Sequence, residues 1–295
     1  MHLKRLVNRN LFWIVSLTVL SGSVVLGVWT GQKKIHPLPS LSQNSNNCAQ
    51  PFSENPEVLT VYTTEKAFTS ALLTALCDDI IVQRQFGNVA VVIGSNDFDT
   101  FKHINYGIAD LALVKQNLIT AFASEQVQGF SMIAKYPNYR AYFIAKNEKP
   151  ILSKEYLLGK RIGLLDYPSS RSGHIAPKIV LQRLGISADN ANLHYFNTHS
   201  ELREKLLVGD IDIISSYWDK NDRARLSENY KIEINANVSG AKWFLRQQTR
   251  NTELICALQQ IIQSVSENHS AVYYRGIQLT AGCDTEINLG NTNDF

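Results

Sequence analysis

From Val58 onward, short apolar runs alternate with stretches whose apolar positions recur every three or four residues, the pattern of strands interleaved with amphipathic helices. The first cycle predicts a strand over 58–63 (VLTVYT), a helix carrying Phe68, Leu72, Leu73 and Leu76, and a strand over 89–94 (VAVVIG). A short helix through Phe98, Phe101 and Ile104 and a strand over 110–114 (DLALV) complete it. GFSMIAKY at 129–136 and YRAYFIAK at 139–146 flank the turn-forming pair Pro137 and Asn138, and read either as a hairpin or as strands leading out of a first lobe. A second cycle runs through RIGLL at 161–165, a helix from about Gly173 to Leu184, LHYF at 193–196, a helix from Ser200 to Val208 and IDIIS at 211–215. Strands at 230–235 and 242–247 follow, then a helix over 252–266 with Leu254, Leu258, Ile261, Ile262 and Val265 on one face.

Two βαβαβ cycles predict an α/β fold of two lobes with largely parallel sheets. Lobe 1 is expected over 56–145 and 245–295 and lobe 2 over 146–244, with hinge strands near 142–147 and 236–244. Ligands of such sheets bind beyond the carboxyl ends of the strands, so facing strand ends would form a cleft.

The pattern before the first strand is different. Lys4, Arg5 and Arg9 precede an uncharged run from Asn10 to Gln32 that is long enough to span a bilayer as a helix. Positive charge ahead of the run directs the remainder outward, although Lys33 and Lys34 blunt the asymmetry. Residues 1–32 thus read as an uncleaved transmembrane anchor, and 33–55, rich in Pro, Ser and Asn, as a linker. A cleavable signal peptide is the alternative, with no clear small-x-small site before Gly31. The folded body is expected in the periplasm, held to the inner membrane by a single pass or released if the segment is cleaved.

Composition narrows the function classes. With 44% hydrophobic and 19% charged residues the chain is globular, and a net charge of +3 without a basic helical stripe speaks against nucleic acid. Cys48, Cys77, Cys256 and Cys283 lack metal-type spacing, and in an oxidising compartment one or two disulfides are expected. All three complete pairings stay open, as does the reading as free buried thiols. No cofactor is implied, since H-E-x-x-H, G-x-S-x-G and G-x-x-x-x-G-K-S/T are all missing.

Candidate chemistry gathers after RIGLL, where Asp166-Tyr167-Pro168-Ser169-Ser170-Arg171-Ser172-Gly173 leads into a helix. Serine hydroxyls, a cation and free N–H groups at a helix start form a cradle for phosphate or carboxylate oxygens. The same residues also read as a capped helix behind a turn, with Ser170 or Ser172 as N-cap. Tyr62, Ser215, Ser216 and Tyr217 point to the cleft by strand position. The carboxylate pairs Asp78/Asp79 and Asp210/Asp212 look structural.

GKRIGLLDYPSSRSGHIAPKIVLQRLGI, residues 159–186, resembles the periplasmic phosphonate/phosphate-binding component of ABC transporters, a type II periplasmic binding protein. Gly159, Lys160, Pro168, Ser170, Ser172, Gly173 and Pro177 carry the likeness, and Arg171 stands where that family usually has threonine. YGIADLALVKQNLITAF and FNTHSELREKLLVGDIDII extend it, each with a Gly-x-x-Asp step. The resemblance implies a two-lobed clamshell and ligand contacts at Lys115, Gln116, Asn117 and His199. By itself His199 reads as a solvated histidine at a helix start.

The function these readings predict is capture of a small oxyanion between the lobes, by Ser170, Arg171, Ser172, Gly173 and His199 with Lys115–Asn117. The partner would be an ABC permease or an inner-membrane sensor. Two other readings stand beside it: a hydrolase assembled from Ser170, His199 and Asp212, and a clamshell scaffold with a degenerate site.

Overall fold

A computed structural model describes residues 16–19, 21–23, 45–48, 51–52, 54–281 and 283. The strand-forming runs emerge as β1 (Ser45–Asn47), β2 (Val58–Thr63), β3 (Asn88–Ile93), β4 (Leu111–Lys115), β5 (Phe130–Lys135) and β6 (Tyr139–Ala145). They continue as β7 (Arg161–Leu165), β8 (Asn192–Phe196), β9 (Ile213–Tyr217), β10 (Lys231–Val238), β11 (Ala241–Arg246) and β12 (Gln278–Leu279). One sheet has the order β1-β3-β2-β4-β11-β5-β12 and the other β10-β6-β9-β7-β8.

Alternation along the strands explains how both faces of each sheet are filled. In the first sheet Leu59, Val61, Leu111, Leu113, Trp243 and Leu245 face one core. That core is closed by α1 (Lys66–Asp78), α2 (Ile80–Gln85) and α9 (Thr252–Glu267), through Phe68, Leu72, Leu76, Val82, Leu254, Leu258 and Ile262. The intervening Tyr62, Ala112, Val114 and Phe244 face a second core with Ile104 and Ile119, which belong to α3 (Asp97–Asn105) and α4 (Gln116–Ala121). The second sheet repeats the scheme. Phe143, Ile162, Leu164 and Ile213 pack with Leu181 of α7 (Ala176–Arg183), whereas Ile144, Leu165 and Ile214 pack with Leu202 and Leu206 of α8 (His199–Val208). A central strand buried on both faces reads as an almost unbroken apolar run, as VLTVYT, RIGLL and DLALV do.

Two expectations need correction and one open alternative is decided. The sheets are mixed: β2 runs parallel to β3 and β4, and β7 to β8 and β9, but every other pairing is antiparallel. Of the two readings of 129–146, strands leading out of the first lobe is the one that fits: Pro137 and Asn138 do not close a hairpin, since β5 pairs with β11 and β12 while β6 pairs with β9 and β10. The chain therefore crosses between sheets at 136–138 and 239–240, so that β6 belongs to the second half and β11 to the first. Lobe boundaries at 145/146 and 244/245 and a hinge strand at 142–147 do not match this topology, whereas the second crossing, at 239–240, falls inside the expected 236–244. The crossings touch one another: a Cβ on Gly240 would lie 2.2 Å from the Tyr136 carbonyl oxygen and 2.6 Å from that of Pro137, which only glycine permits.

Both Gly-x-x-Asp steps do the same structural work. Asp110, just before β4, accepts the Thr60 N–H of β2 at 2.9 Å and pairs with Arg246 at 2.6 Å. Asp212, before β9, accepts the Arg161 N–H of β7 at 2.8 Å and its guanidinium at 2.7 Å. Each carboxylate satisfies an N–H at the amino end of a central strand, on the far side of the sheet from its carboxyl end.

Disulfides join Cys48 to Cys77 and Cys256 to Cys283. Residues 16–19 and 21–23 are helical. The rest of the expected anchor and most of the linker lie outside the described residues, among which no helix is long and apolar enough to cross a membrane.

Candidate functional site

The carboxyl end of β7 passes through Asp166–Ser170 into a single π-helical turn, Arg171–Ile175, and then directly into α7 with Pro177 in its first turn. Ser170 is the cap: its hydroxyl accepts the Gly173 N–H at 3.2 Å, and its carbonyl accepts from His174 and Ile175. Gly173 is pressed against the strand end, where a Cβ would sit 2.6 Å from Leu165 Cγ. The His174 ring bonds the Leu165 carbonyl at 2.7 Å. Of the two readings of this segment, the capped helix accounts for Ser170.

The neighbouring Ser169 meets the other half. Lys115, the last residue of β4, donates to the Ser169 hydroxyl at 2.6 Å, and the Asn117 amide reaches the Ser169 carbonyl at 3.4 Å. The Ser169 hydroxyl and N–H both donate to Asp97, at 2.5 and 2.9 Å. Asp97 opens α3 beyond the carboxyl end of β3. Strand ends of both sheets thus converge on one serine. The cavity alongside, lined by Thr64, Asp97, Thr100, Val114, Lys115, Leu118 and Tyr167, holds about 10 Å³, room for one water.

Positive charge is concentrated here. Burial pushes Lys115 down to about 8, with Asp97 opposing the shift and Arg171 adding to it. Lys242 is likewise lowered by burial, with Lys135 and Arg171 repelling it. Its ammonium rests on Gln116 Oε1 at 3.0 Å. Arg171 donates through Nη1 to the Gly240 carbonyl at 3.1 Å and lies 6.0 Å from the Tyr139 ring, while its buried Nε has no hydrogen-bond partner among the described residues. Asn117 Oδ1 is also buried without one. Unsatisfied polar groups of this kind are uncommon in a folded interior and mark a place where something else can be bound.

The remaining expected contacts are placed differently. His199, first residue of α8, bonds Ser216 Oγ through Nδ1 at 2.8 Å and meets the Tyr217 ring edge-on at 4.9 Å. Burial, with Arg203 and Lys115 close by, holds its imidazole down to about 3, so it is neutral and offers an anion no charge. Ser216 is buried and taken by His199, and Ser215 donates to the Ser172 carbonyl at 2.6 Å. The Ser172 hydroxyl has Tyr139 at 3.5 Å. Tyr62 is fully buried within the first half, its hydroxyl 2.8 Å from Thr100 Oγ1 and its ring stacked on His103. Gln116 is committed to Thr120, Glu125 and Lys242. Ser170, His199 and Asp212 bond to Gly173, Ser216 and Arg161 respectively and do not form a catalytic trio.

Asp97, Ser169, Tyr139 and Lys242 are the site residues the sequence reading passed over. Asp97 lies just past the carboxyl end of the parallel strand β3, a place equivalent to the one the family likeness marks at Lys115 on β4. Ser169 sat inside the marked loop, one place before the serine that caps the helix.

Comparison with known proteins gives three findings. Residues 65–227 match the family model described as ABC transporter, phosphonate, periplasmic substrate-binding protein. No curated protein matches the sequence. Among solved structures, a binding protein component of an ABC phosphonate transporter from Pseudomonas aeruginosa is similar at TM-score 0.55 and 15% identity, covering 76% of this chain and 82% of that one. PhnD1 from Prochlorococcus marinus in complex with methylphosphonate is similar at TM-score 0.55 and 15% identity, over 72% of this chain and 86% of that one. A Xanthomonas citri protein bound to chloride ion follows at TM-score 0.52 and 16% identity, over 70% and 83%. At such identities the likeness shows the fold.

Proposed function

The chain belongs to the family of periplasmic phosphonate-binding components of ABC transporters, and from that premise we propose that it captures a small tetrahedral oxyanion, phosphonate or phosphate-like, at the point where Lys115, Asn117, Ser169 and Arg171 converge. Such proteins bind small ligands outside the cytoplasm for a membrane permease. The observation that carries the reading is the treatment of Asp97: a carboxylate already accepts the Ser169 N–H and hydroxyl beside Lys115, so these donors suit an oxyanion. Arg171 Nε supplies a further buried donor without a partner among the described residues. PhnD1, similar in fold, is a protein in complex with methylphosphonate.

Delivery to an ABC permease is the role we assign. The uncharged run 10–32 would keep the protein on the outer face of the inner membrane by a single pass, and that anchoring also suits presentation to a membrane sensor.

Thermal unfolding of the full-length chain in detergent, with methylphosphonate, inorganic phosphate, alkyl sulfonates and amino acids, tests the proposal. One oxyanion class should raise the midpoint by several degrees, and Arg171→Ala should abolish the rise. A response to none of them removes the oxyanion reading and leaves the scaffold.

A further inference from the structure

The cleft already contains an anion, and it belongs to the chain. Asp97 uses both carboxylate oxygens on Ser169, Oδ2 on the N–H and Oδ1 on the hydroxyl, and the same hydroxyl receives the Lys115 ammonium. Ser169 is buried and lies 72 residues further along the chain, on the second half. These bonds join the start of α3 and the end of β4 to the loop ahead of α7, and at the β4 end they lie beside the 239–240 crossing, where Lys115 is the register partner of Ala241. They are therefore placed to hold the strand ends of the two halves together, the movement a hinged clamshell needs for closure. The adjoining cavity of about 10 Å³ has room for a water and none for a tetrahedral oxyanion beside the carboxylate.

We propose that Asp97 is an affinity- and specificity-determining residue of the site, a tethered competitor that occupies the anion donors of Ser169 and closes the halves without a small molecule, so that a ligand binds by displacing it. This rests on the oxyanion reading of the cleft. A protein whose competent state is fractionally populated binds with its affinity reduced by that fraction. Charge-assisted bonds of this geometry, made in a buried setting, weaken the apparent affinity about ten- to a hundredfold. The competitor also sets a threshold: only an anion that satisfies Ser169 and Lys115 at least as well as a carboxylate opens the latch, which favours doubly charged tetrahedral groups over single carboxylates.

The test uses the full-length chain in detergent and two readouts. Hydrogen exchange without ligand reports the latch directly, because the Ser169 N–H is bonded to Asp97. Titration with inorganic phosphate and with methylphosphonate reports competition. Asp97→Ala should speed exchange at Ser169 and tighten the binding of at least one of these anions about ten- to a hundredfold. Asp97→Asn, which keeps the shape of the helix start, should shift both in the same direction and guards against a folding defect. Unchanged Ser169 exchange in both variants, or anion affinity that is unchanged or weaker, overturns the competitor. Faster exchange with no anion bound by wild type or variants would instead uphold the latch and overturn the oxyanion reading.

Discussion

Acid should destabilise this protein through His199. Burial beside Arg203 and Lys115 holds the imidazole at about 3, against 6.5 for the free side chain. Between those two values the unfolded chain binds the proton and the folded chain does not, so stability falls as pH drops through the window and this group's effect is level above 6.5 and below 3. Each pH unit inside the window costs about 1.4 kcal/mol. Acidification from pH 7.5 to 4.5 crosses roughly two such units, a loss of about 3 kcal/mol, a large share of the 5–15 kcal/mol that holds a typical domain folded. The assay is urea unfolding of wild type and His199→Asn at pH 7.5, 5.5 and 4.5. Only the difference between them is used, because the other titrating groups cancel. Asparagine can still reach Ser216 but cannot titrate, and it loses the edge contact with Tyr217, so it should be the less stable protein at pH 7.5. That gap should shrink by about 3 kcal/mol at pH 4.5, and a gap constant to within about 0.5 kcal/mol would refute the half-buried, neutral histidine.

Three further outcomes are expected. Lys115, lowered to about 8, loses its charge above that pH, so the affinity for a bound anion, corrected for the anion's own ionisation, should fall by up to about tenfold per unit from pH 8 to 9.5 in calorimetric titrations. Gly173→Ala forces a methyl into Leu165 at 2.6 Å and should cost about 1–3 kcal/mol, seen as a drop of several degrees in the unfolding midpoint; an unchanged midpoint would mean that the helix start is not pressed on β7. Replacing Cys48 and Cys77 together by alanine frees a loop of sequence separation 29 and should lower urea stability by about 3–4 kcal/mol, with no loss expected if both are free thiols.

The sequence alone determined the local elements and their chemistry. Runs such as VLTVYT and RIGLL are almost unbroken in apolar residues because both faces of a central strand are covered, and α9 shows its buried stripe in Leu254, Leu258, Ile261, Ile262 and Val265. Those signals depend on neighbours a few residues apart, and the family likeness of residues 159–186 is also a local pattern. What pairs with what depends on residues far apart. Pro137 and Asn138 carry a turn signal whether the chain folds back on itself or crosses to another sheet, and only the pairing of β5 with β11 and of β6 with β9 decides between them. The same limit applied at the site. Lys115 and Asn117 were visible through the family likeness of the strand they follow, but Asp97 and Ser169, 72 residues apart, acquire their meaning only when the two halves meet. His199 was expected either at the ligand, by the family resemblance, or in solvent at a helix start, and the burial that keeps its imidazole neutral is a property no stretch of sequence encodes. Periodicity records which face of an element is buried. The tertiary fold decides which polar group waits on the other side, because desolvation and charge act through space and not along the chain.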